Sequence, residues 1–515
     1  MRYLLNMLLL TALLAGLGLN LTVPVAAQTF TTLHSFNAAA YTGVTSTNSD
    51  GAFPGQLLRS GNTLFGMTEA GSTNGDGTLF SINTDGTSFT ILYAFTAEAT
   101  NALGHYTNSD GTMPYGGLIL AGNTLYGTAN QGGTNGSGLV FALDTHGSNY
   151  VILHCFSAEA AIAPNQYTNS DGIYPGGLLL SGSTLYGTTS QGGTNGVGTL
   201  YAMNTNGMGF IILHTFPAIA APAYTNGDGA EPSAGLILSG AVLYGTAHDG
   251  GADAEGTVFA VNTNGTGFVT LHHFAAQASS GLAYTNSDGA VPNGGLILAS
   301  DTLYGTAFEG GTNGYGTVFS ITTNGTAFTL LHTFSSASGF QFTNSDGVNP
   351  NGGLVLSGST LYGTSSYGGT NGFGTLFAVN TDGGGFSALH TFSATVSPAA
   401  TNNDGARPFA GVILSGSTLY GTAFQGGTHG AGAVFRLAYP PPALAIQGFT
   451  SYVVLTWPTT NIDGFDLSGF MLQSSTNLVS PSSWTPDPAA LGVVNGLITV
   501  TNYLSEPQKL FRLSD

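Results

Sequence analysis

The sequence is short of positive charge, of cysteine and of charge altogether. Only six of its 515 residues are Lys or Arg, and charged residues make up 6% of the chain. Arg2, Arg59, Arg407, Arg436, Lys509 and Arg512 leave the whole stretch from 60 to 406 without a basic side chain. That stretch can form no Lys or Arg salt bridge within itself, so its stability must come from apolar burial and main-chain hydrogen bonds. The net charge of −19 argues against nucleic acid, anionic membrane surfaces and phosphorylated substrates as partners, because like charges repel. Cations and neutral polar ligands stay open. The single cysteine, Cys155, excludes an intrachain disulfide and a Cys-based metal centre. No apolar run beyond the N-terminus is long enough to span a bilayer. No phosphate loop, dinucleotide fingerprint, helical metal motif or nucleophile–base pairing stands out.

What is abundant is glycine, with 79 residues, alongside 11% aromatic and 42% apolar residues. Glycine with Thr, Asn and Ser favours turns and strands over helices, and the aromatic content argues against disorder. At the start, Arg2 precedes the apolar stretch Leu4–Leu21, and Val25-Ala26-Ala27 offers a small-residue cleavage site before Gln28. Residues 1–27 are therefore expected to be a signal peptide, and the mature protein to be secreted or held at the extracellular surface.

Internal repetition dominates the rest. Thr-Asn-x-Asp-Gly-x-x-Pro occurs seven times, with its aspartates at Asp50, Asp110, Asp171, Asp228, Asp288, Asp346 and Asp404, a mean period of about 59 residues. Each copy continues through a Gly-Leu-Ile-Leu-like run, Thr-Leu-Tyr-Gly-Thr, Gly-Gly-Thr-Asn-Gly, Gly-Thr-Val-Phe, Asn-Thr-Asn-Gly and Phe-x-x-Leu-His-x-Phe. Short apolar runs separated by Gly, Asn and Ser clusters predict four strands per copy, a to d. In the second copy these are 117–120, 124–129, 139–143 and 150–156. Four strands per period fit a propeller blade. Residues 29–36 form a lone strand d ahead of the first copy, and the last copy, 404–437, lacks one. The two defects complement each other only if the chain ends meet in a ring. The expectation is an all-β chain with a seven-bladed β-propeller over 28–438, closed by the N-terminal strand. An open β-solenoid is the competing architecture, and it would not need that complementary loss.

With these motifs recurring in fixed order over residues 29–437, the chain resembles the Gloeo/Verruco (GloVer) tandem-repeat family of secreted bacterial proteins. Copy one departs from the pattern at Leu64-Phe65-Gly66-Met67 and copy four at Gly250-Gly251-Ala252-Asp253. The resemblance implies export, and it brings no established activity. After a Pro-rich linker at 439–442, residues 443–515 change character. Ser451–Trp457, Phe470–Gln473, Ile498–Thr501 and Leu510–Leu513 read as strands of a small C-terminal β-sandwich. Val-x-Leu-x-Trp there is similar to a fibronectin-type-III-like module. A module of this size is small for independent stability, so packing on the ring is expected.

Successive antiparallel strands put the d-to-a connection and the b-to-c loop at one end of each blade. These are the longer loops, and a ligand site is expected on their face. The seven repeated aspartates lie there, and two readings are open. One is calcium, since carboxylate, amide and hydroxyl oxygens are hard ligands. The other is an Asx-type turn in which Asp accepts main-chain N–H bonds. The histidines His34, His154, His214, His272, His332 and His390, with Tyr93 in the remaining copy, share one strand-d position. They are expected to pack against Phe and hold a hydrogen bond. Tyr106, Tyr167, Tyr224 and Tyr284, with Phe342, precede the Thr-Asn turn and would stack on sugar rings if exposed. Copy four puts His248, Asp249, Asp253 and Glu255 in the loop where other copies read Gln-Gly-Gly-Thr-Asn-Gly. A single active site on a symmetric ring needs such a departure. The leading expectation is a monomeric binding or structural protein whose partner is a glycan or a surface protein. The alternative is an extracellular polysaccharide-acting enzyme, a lyase or hydrolase.

Overall fold

The computed structural model describes residues 28–514 except 42–45, 101–105, 115, 164–165, 281–282, 340, 441, 443, 450, 461–469, 476–483 and 504–508. The expected leader, 1–27, lies outside the described residues, as does part of the linker. The described chain is all β, its sheets antiparallel, with no helix long and apolar enough to cross a membrane.

Each copy builds one antiparallel sheet in the order a-b-c-d. In copy two the strands are Ile119–Ala121, Thr124–Ala129, Leu139–Asp144 and Val151–Cys155. Strand a is short, and b and c are buried through most of their length. The Leu-Tyr-Gly-Thr motif has a packing reason. Gly127 pairs with Phe141 across strands b and c, and a Cβ at Gly127 would lie 2.6 Å from the Phe141 ring. The missing side chain leaves room for the aromatic ring, which is fully buried.

The N-terminal strand Thr29–Ser35 pairs antiparallel with Ala433–Ala438 and supplies the outer strand of the last copy's sheet. The sheets then pack in succession. Hydrophobic clusters join the sheets of copies one and two, two and three, and so on. A further cluster joins Tyr420 and Val434 of the last copy to Leu57, Leu64 and Phe80 of the first. The phenylalanine after each strand-d histidine, such as Phe156 or Phe216, is fully buried, worth roughly 1.5–3 kcal/mol per ring relative to exposure. Chain from all seven copies, at the entrance to strand a, lines a central cavity of about 320 Å³.

The C-terminal residues form two further sheets. One is ordered Ala445–Gly448, Tyr452–Pro458, Leu497–Tyr503, Leu491–Val494; the other is Thr485–Pro486, Met471–Ser475, Leu510–Ser514. Leu455, Trp457, Ile498 and Val500 of the first meet Leu472 of the second in one core. Phe470 belongs instead to the cluster between copies six and seven, beside Tyr439, as expected of a module too small to stand alone.

Candidate functional site

The repeated aspartates and histidines meet each other. His34 Nε2 lies 3.0 Å from Asp50 Oδ2, and His154, His272, His332 and His390 approach Asp171, Asp288, Asp346 and Asp404 at 2.9–3.0 Å. In the copy with tyrosine, Tyr93 Oη donates to Asp110 at 2.7 Å. The main-chain N–H just beyond strand d donates to the same carboxylate, as Ser157 does to Asp171 at 3.0 Å. Each histidine ring also stacks on an aromatic of the next sheet, His154 on Phe210 at 3.8 Å and His332 on Phe386 at 3.6 Å. Tyr93 stacks on Tyr150, and His390 stacks on Phe30 of the N-terminal strand. The latch thus runs through every copy and back across the chain ends.

These carboxylates are buried among N–H and O–H donors, a shell suited to an anion. Burial raises the pKa of Asp171 and Asp346, but hydrogen bonds from the His ring and from Ser157 or Ser335 outweigh it. The net pKa is held below the ordinary carboxylate value. The Asx turn falls to a different residue from the one expected. Asn169 Oδ1 accepts from the N–H of Gly172 and Gly193, and its Nδ2 donates to the carbonyls of Ser157 and Gly172. The same four bonds recur at Asn108, Asn286 and Asn402. Asparagine, which both donates and accepts, ties the two long loops together, while aspartate secures strand d.

One latch is incomplete. Pro217 stands where other copies supply the N–H, and proline has none. His214 Nε2 is still 3.0 Å from Asp228 Oδ2, close enough for an ion pair, but it makes no hydrogen bond. The Asp228 side chain is 30% exposed, against 7–13% for the other His-paired aspartates. Burial lowers the pKa of His214, against the pull of Asp228.

The aromatics before the Thr-Asn turn are exposed. Tyr106 is 46% accessible, Tyr224 60%, Tyr284 58% and Phe342 45%. They sit on small excursions of the d-to-a connection, closed by pairs such as Ala278–Ser280 with Ala283–Thr285 and the bridge Ala220–Thr225. Tyr167, at the same register, is the exception: its side chain is half-buried.

Nearer the axis the copies stop resembling each other. The residue before each repeated proline is Phe53, Met113, Tyr174, Glu231, Val291, Asn349 or Arg407, and all seven have φ between 50° and 62°. That left-handed backbone is strained for side chains with a Cβ. The residue just past each strand-b Thr-x pair is Glu69, Asn130, Ser190, His248, Phe308, Ser366 or Phe424. The two columns face each other across main-chain bonds, His248 N–H to Glu231 O and Phe424 N–H to Arg407 O. Phe53 stacks on Phe424 at 4.9 Å, and Arg407 lies over the Tyr367 ring. Glu69, Phe308, Asn351 and Phe424 border a second cavity of about 270 Å³ that shares lining residues with the central one, and burial pushes the Glu69 carboxyl up to about 7.

In copy four, His248 Nδ1 is 2.7 Å from Asp249 Oδ1, and Glu231 joins them. Burial lowers the His248 pKa, but Asp249, Glu231 and Glu309 outweigh it and hold it above the ordinary value. Burial raises the Glu231 pKa, and Asp249 adds to this. Burial likewise raises Glu255, with Glu309, Asp249 and Asp253 contributing. Glu255 Oε1 also accepts from the Gln277 N–H at 3.3 Å, so part of its role is to hold a loop. Asp253 is exposed. It replaces the asparagine that elsewhere donates to the carbonyl after strand d, as Asn195 does to Phe216. The sequence alone singled out four of these residues and missed Glu231. Its only signal was a column that differs in every copy.

The model of the Gloeobacter/Verrucomicrobia repeat matches residues 96–283, 158–342 and 279–479. No curated protein matches the chain. Among solved structures, an oligogalacturonate lyase in complex with manganese is similar at 11% identity and a TM-score of 0.44, over 81% of this chain and 97% of that one. The oligogalacturonate lyase from Vibrio parahaemolyticus gives 10%, 0.43, 81% and 98% in the same measures. A puromycin-hydrolyzing peptidase of Mycobacterium tuberculosis gives 11%, 0.43, 82% and 62%. Likenesses this distant say nothing about chemistry.

Proposed function

The chain belongs to the Gloeobacter/Verrucomicrobia repeat family, and from that premise we propose a secreted or cell-surface binding protein whose long-loop face takes up a neutral glycan. The scaffold in this reading is a seven-bladed propeller, with the N-terminal strand as its clasp and the C-terminal module as a fibronectin-type-III-like appendage. The observation that carries the reading is the exposure of Tyr106, Tyr224, Tyr284 and Phe342 at one register. Exposed aromatic faces beside Asn, Thr and Ser groups suit the apolar faces and hydroxyls of a sugar. A chain of net charge −19 favours a neutral polysaccharide over an acidic one. Retention of the full chain in gels cast with neutral polysaccharides tests this, with Tyr224→Ala and Tyr284→Ala as variants. Binding that weakens with each ring removed is expected. No retention on any glycan, or retention indifferent to the rings, overturns it, and binding only to a cell-surface protein replaces the ligand class.

An extracellular polysaccharide-acting enzyme, a lyase or hydrolase, is the second reading. Glu231, His248 and Asp249 favour it, because a carboxyl raised by burial beside a basic imidazole is an acid–base pair of the kind such chemistry uses. Turnover on a polysaccharide panel that disappears in His248→Asn would replace the first reading with this one.

A further inference from the structure

The geometry points to a divalent transition-metal site at the axial end of copy four, held by Glu231, His248 and Asp249. One ligand atom from each lies within 4.8 Å of the other two. Metal bonds of about 2.0–2.2 Å to nitrogen and oxygen need ligand atoms roughly 3–3.6 Å apart, so side-chain rotation of about an ångström closes the set. The backbone beneath is fixed. Ala230 and Asp249 exchange both main-chain bonds at 2.7 and 3.0 Å, and the Glu231 N–H donates to Val197 O at 2.9 Å. The His248 and Asp249 side chains are 33% and 44% exposed, which leaves the ion a way in and coordination positions open on the solvent side.

Two further observations separate this cluster from ordinary surface acidity. First, copy four alone carries metal-ligating side chains at all three of these positions. Their counterparts in copy two are Met113, Asn130 and Gln131, and in copy six Asn349, Ser366 and Tyr367. Three such side chains, from two segments of chain, converge on one point. Second, the negative charge outweighs the positive. Glu309 adds to the negative field at His248, Asp249 and Glu255 lie within each other's field, and no Lys or Arg occurs between 60 and 406. Arg407 is engaged over Tyr367. A rigid backbone therefore holds like charges together with one imidazole to offset them, and a dication relieves that field. Two carboxylates with one imidazole suit Mn²⁺, Fe²⁺, Co²⁺ or Zn²⁺; Ca²⁺ and Mg²⁺ take oxygen ligands. The site stands apart from the glycan reading, since it uses none of the exposed rings.

The test is titration of the metal-stripped full chain with Zn²⁺ and Mn²⁺ by calorimetry, and with Co²⁺ by visible absorption. One equivalent is expected, with a Co²⁺ spectrum that reports imidazole ligation. His248→Asn and Glu231→Gln should each weaken binding by at least about tenfold. Asn130 shows that this position accepts asparagine, so His248→Asn should keep the fold, and a thermal melt checks it. Asp253→Asn, which lowers the local charge without removing a ligand, should change affinity by less than about threefold. The proposal is overturned by absence of stoichiometric binding, by affinity that survives His248→Asn, or by equal weakening in Asp253→Asn.

Discussion

Two series of side chains run through the copies, an outer ring and an inner ring in the propeller reading, and follow opposite rules. The outer ring repeats: a strand-d histidine or tyrosine, a stacked aromatic from the next sheet, and an aspartate from the following loop. The inner ring, before each repeated proline and after each strand b, varies from copy to copy, and its first column never repeats a residue. Both rest on the same strands, so folding demands do not account for the difference. The outer positions join neighbouring sheets, and each copy faces the same packing problem. The inner positions carry no such shared contact, and only Glu69, Phe308 and Phe424 among them line either cavity. Repetition marks what holds the molecule together.

The sharpest way to break this comparison is to open the outer ring. Removing residues 28–36 takes away the outer strand of the last sheet, the His34–Asp50 pair and the Phe30–His390 stack. The largest loss is expected here, with cooperative thermal unfolding replaced by a broad transition. A sharp unchanged melt would mean the ring does not depend on its clasp.

Next comes a single latch. Asp171→Ala strips His154 and the Ser157 N–H of their acceptor, and bonds to a charged group are worth roughly 1.5–3 kcal/mol. Asp228→Ala, in the latch already lacking an N–H donor, should cost about half as much by urea unfolding. Equal costs would show that neither the main-chain bond nor the histidine hydrogen bond contributes.

Acid should act through the same ring. Asp171 and Asp346 have folded pKa values below the ordinary value of about 3.9. Their contribution is complete above that value and is lost as pH falls through the lower folded values. The share of the melting temperature that these aspartates supply should fall below about pH 4. Asp171→Ala should flatten that fall.

The smallest effects belong to the inner ring and to calcium. His248→Asn and Glu231→Gln should alter metal-free stability by no more than about 0.5 kcal/mol, because both side chains reach solvent. Treatment of the His248→Asn chain with EGTA should leave its melting midpoint unchanged, since the repeated carboxylates already face N–H donors. A fall of several degrees would return calcium to those loops.

Much of the outer ring was legible. The Leu-His-x-Phe spacing implied a packed histidine, and the spare strand at one end matched the missing strand at the other. The partner of that histidine was not legible. Asp171 follows His154 by 17 residues through an irregular loop, and no periodicity relates positions across such a loop. Asparagine and aspartate sit two apart in one motif, and both are turn formers. Only the loop path shows that Asn169 makes the turn and Asp171 receives the histidine.

The sequence by itself determined the number of copies, their four-strand order, the face that carries the long loops and the oddity of copy four. These follow from local patterns that repeat, because each copy solves the same local packing problem. The tertiary structure decided which residues meet. Glu231 and His248 belong to different segments, and the strand pairing that brings them together depends on register. Their convergence is a property of the assembled sheets, which local spacing cannot encode.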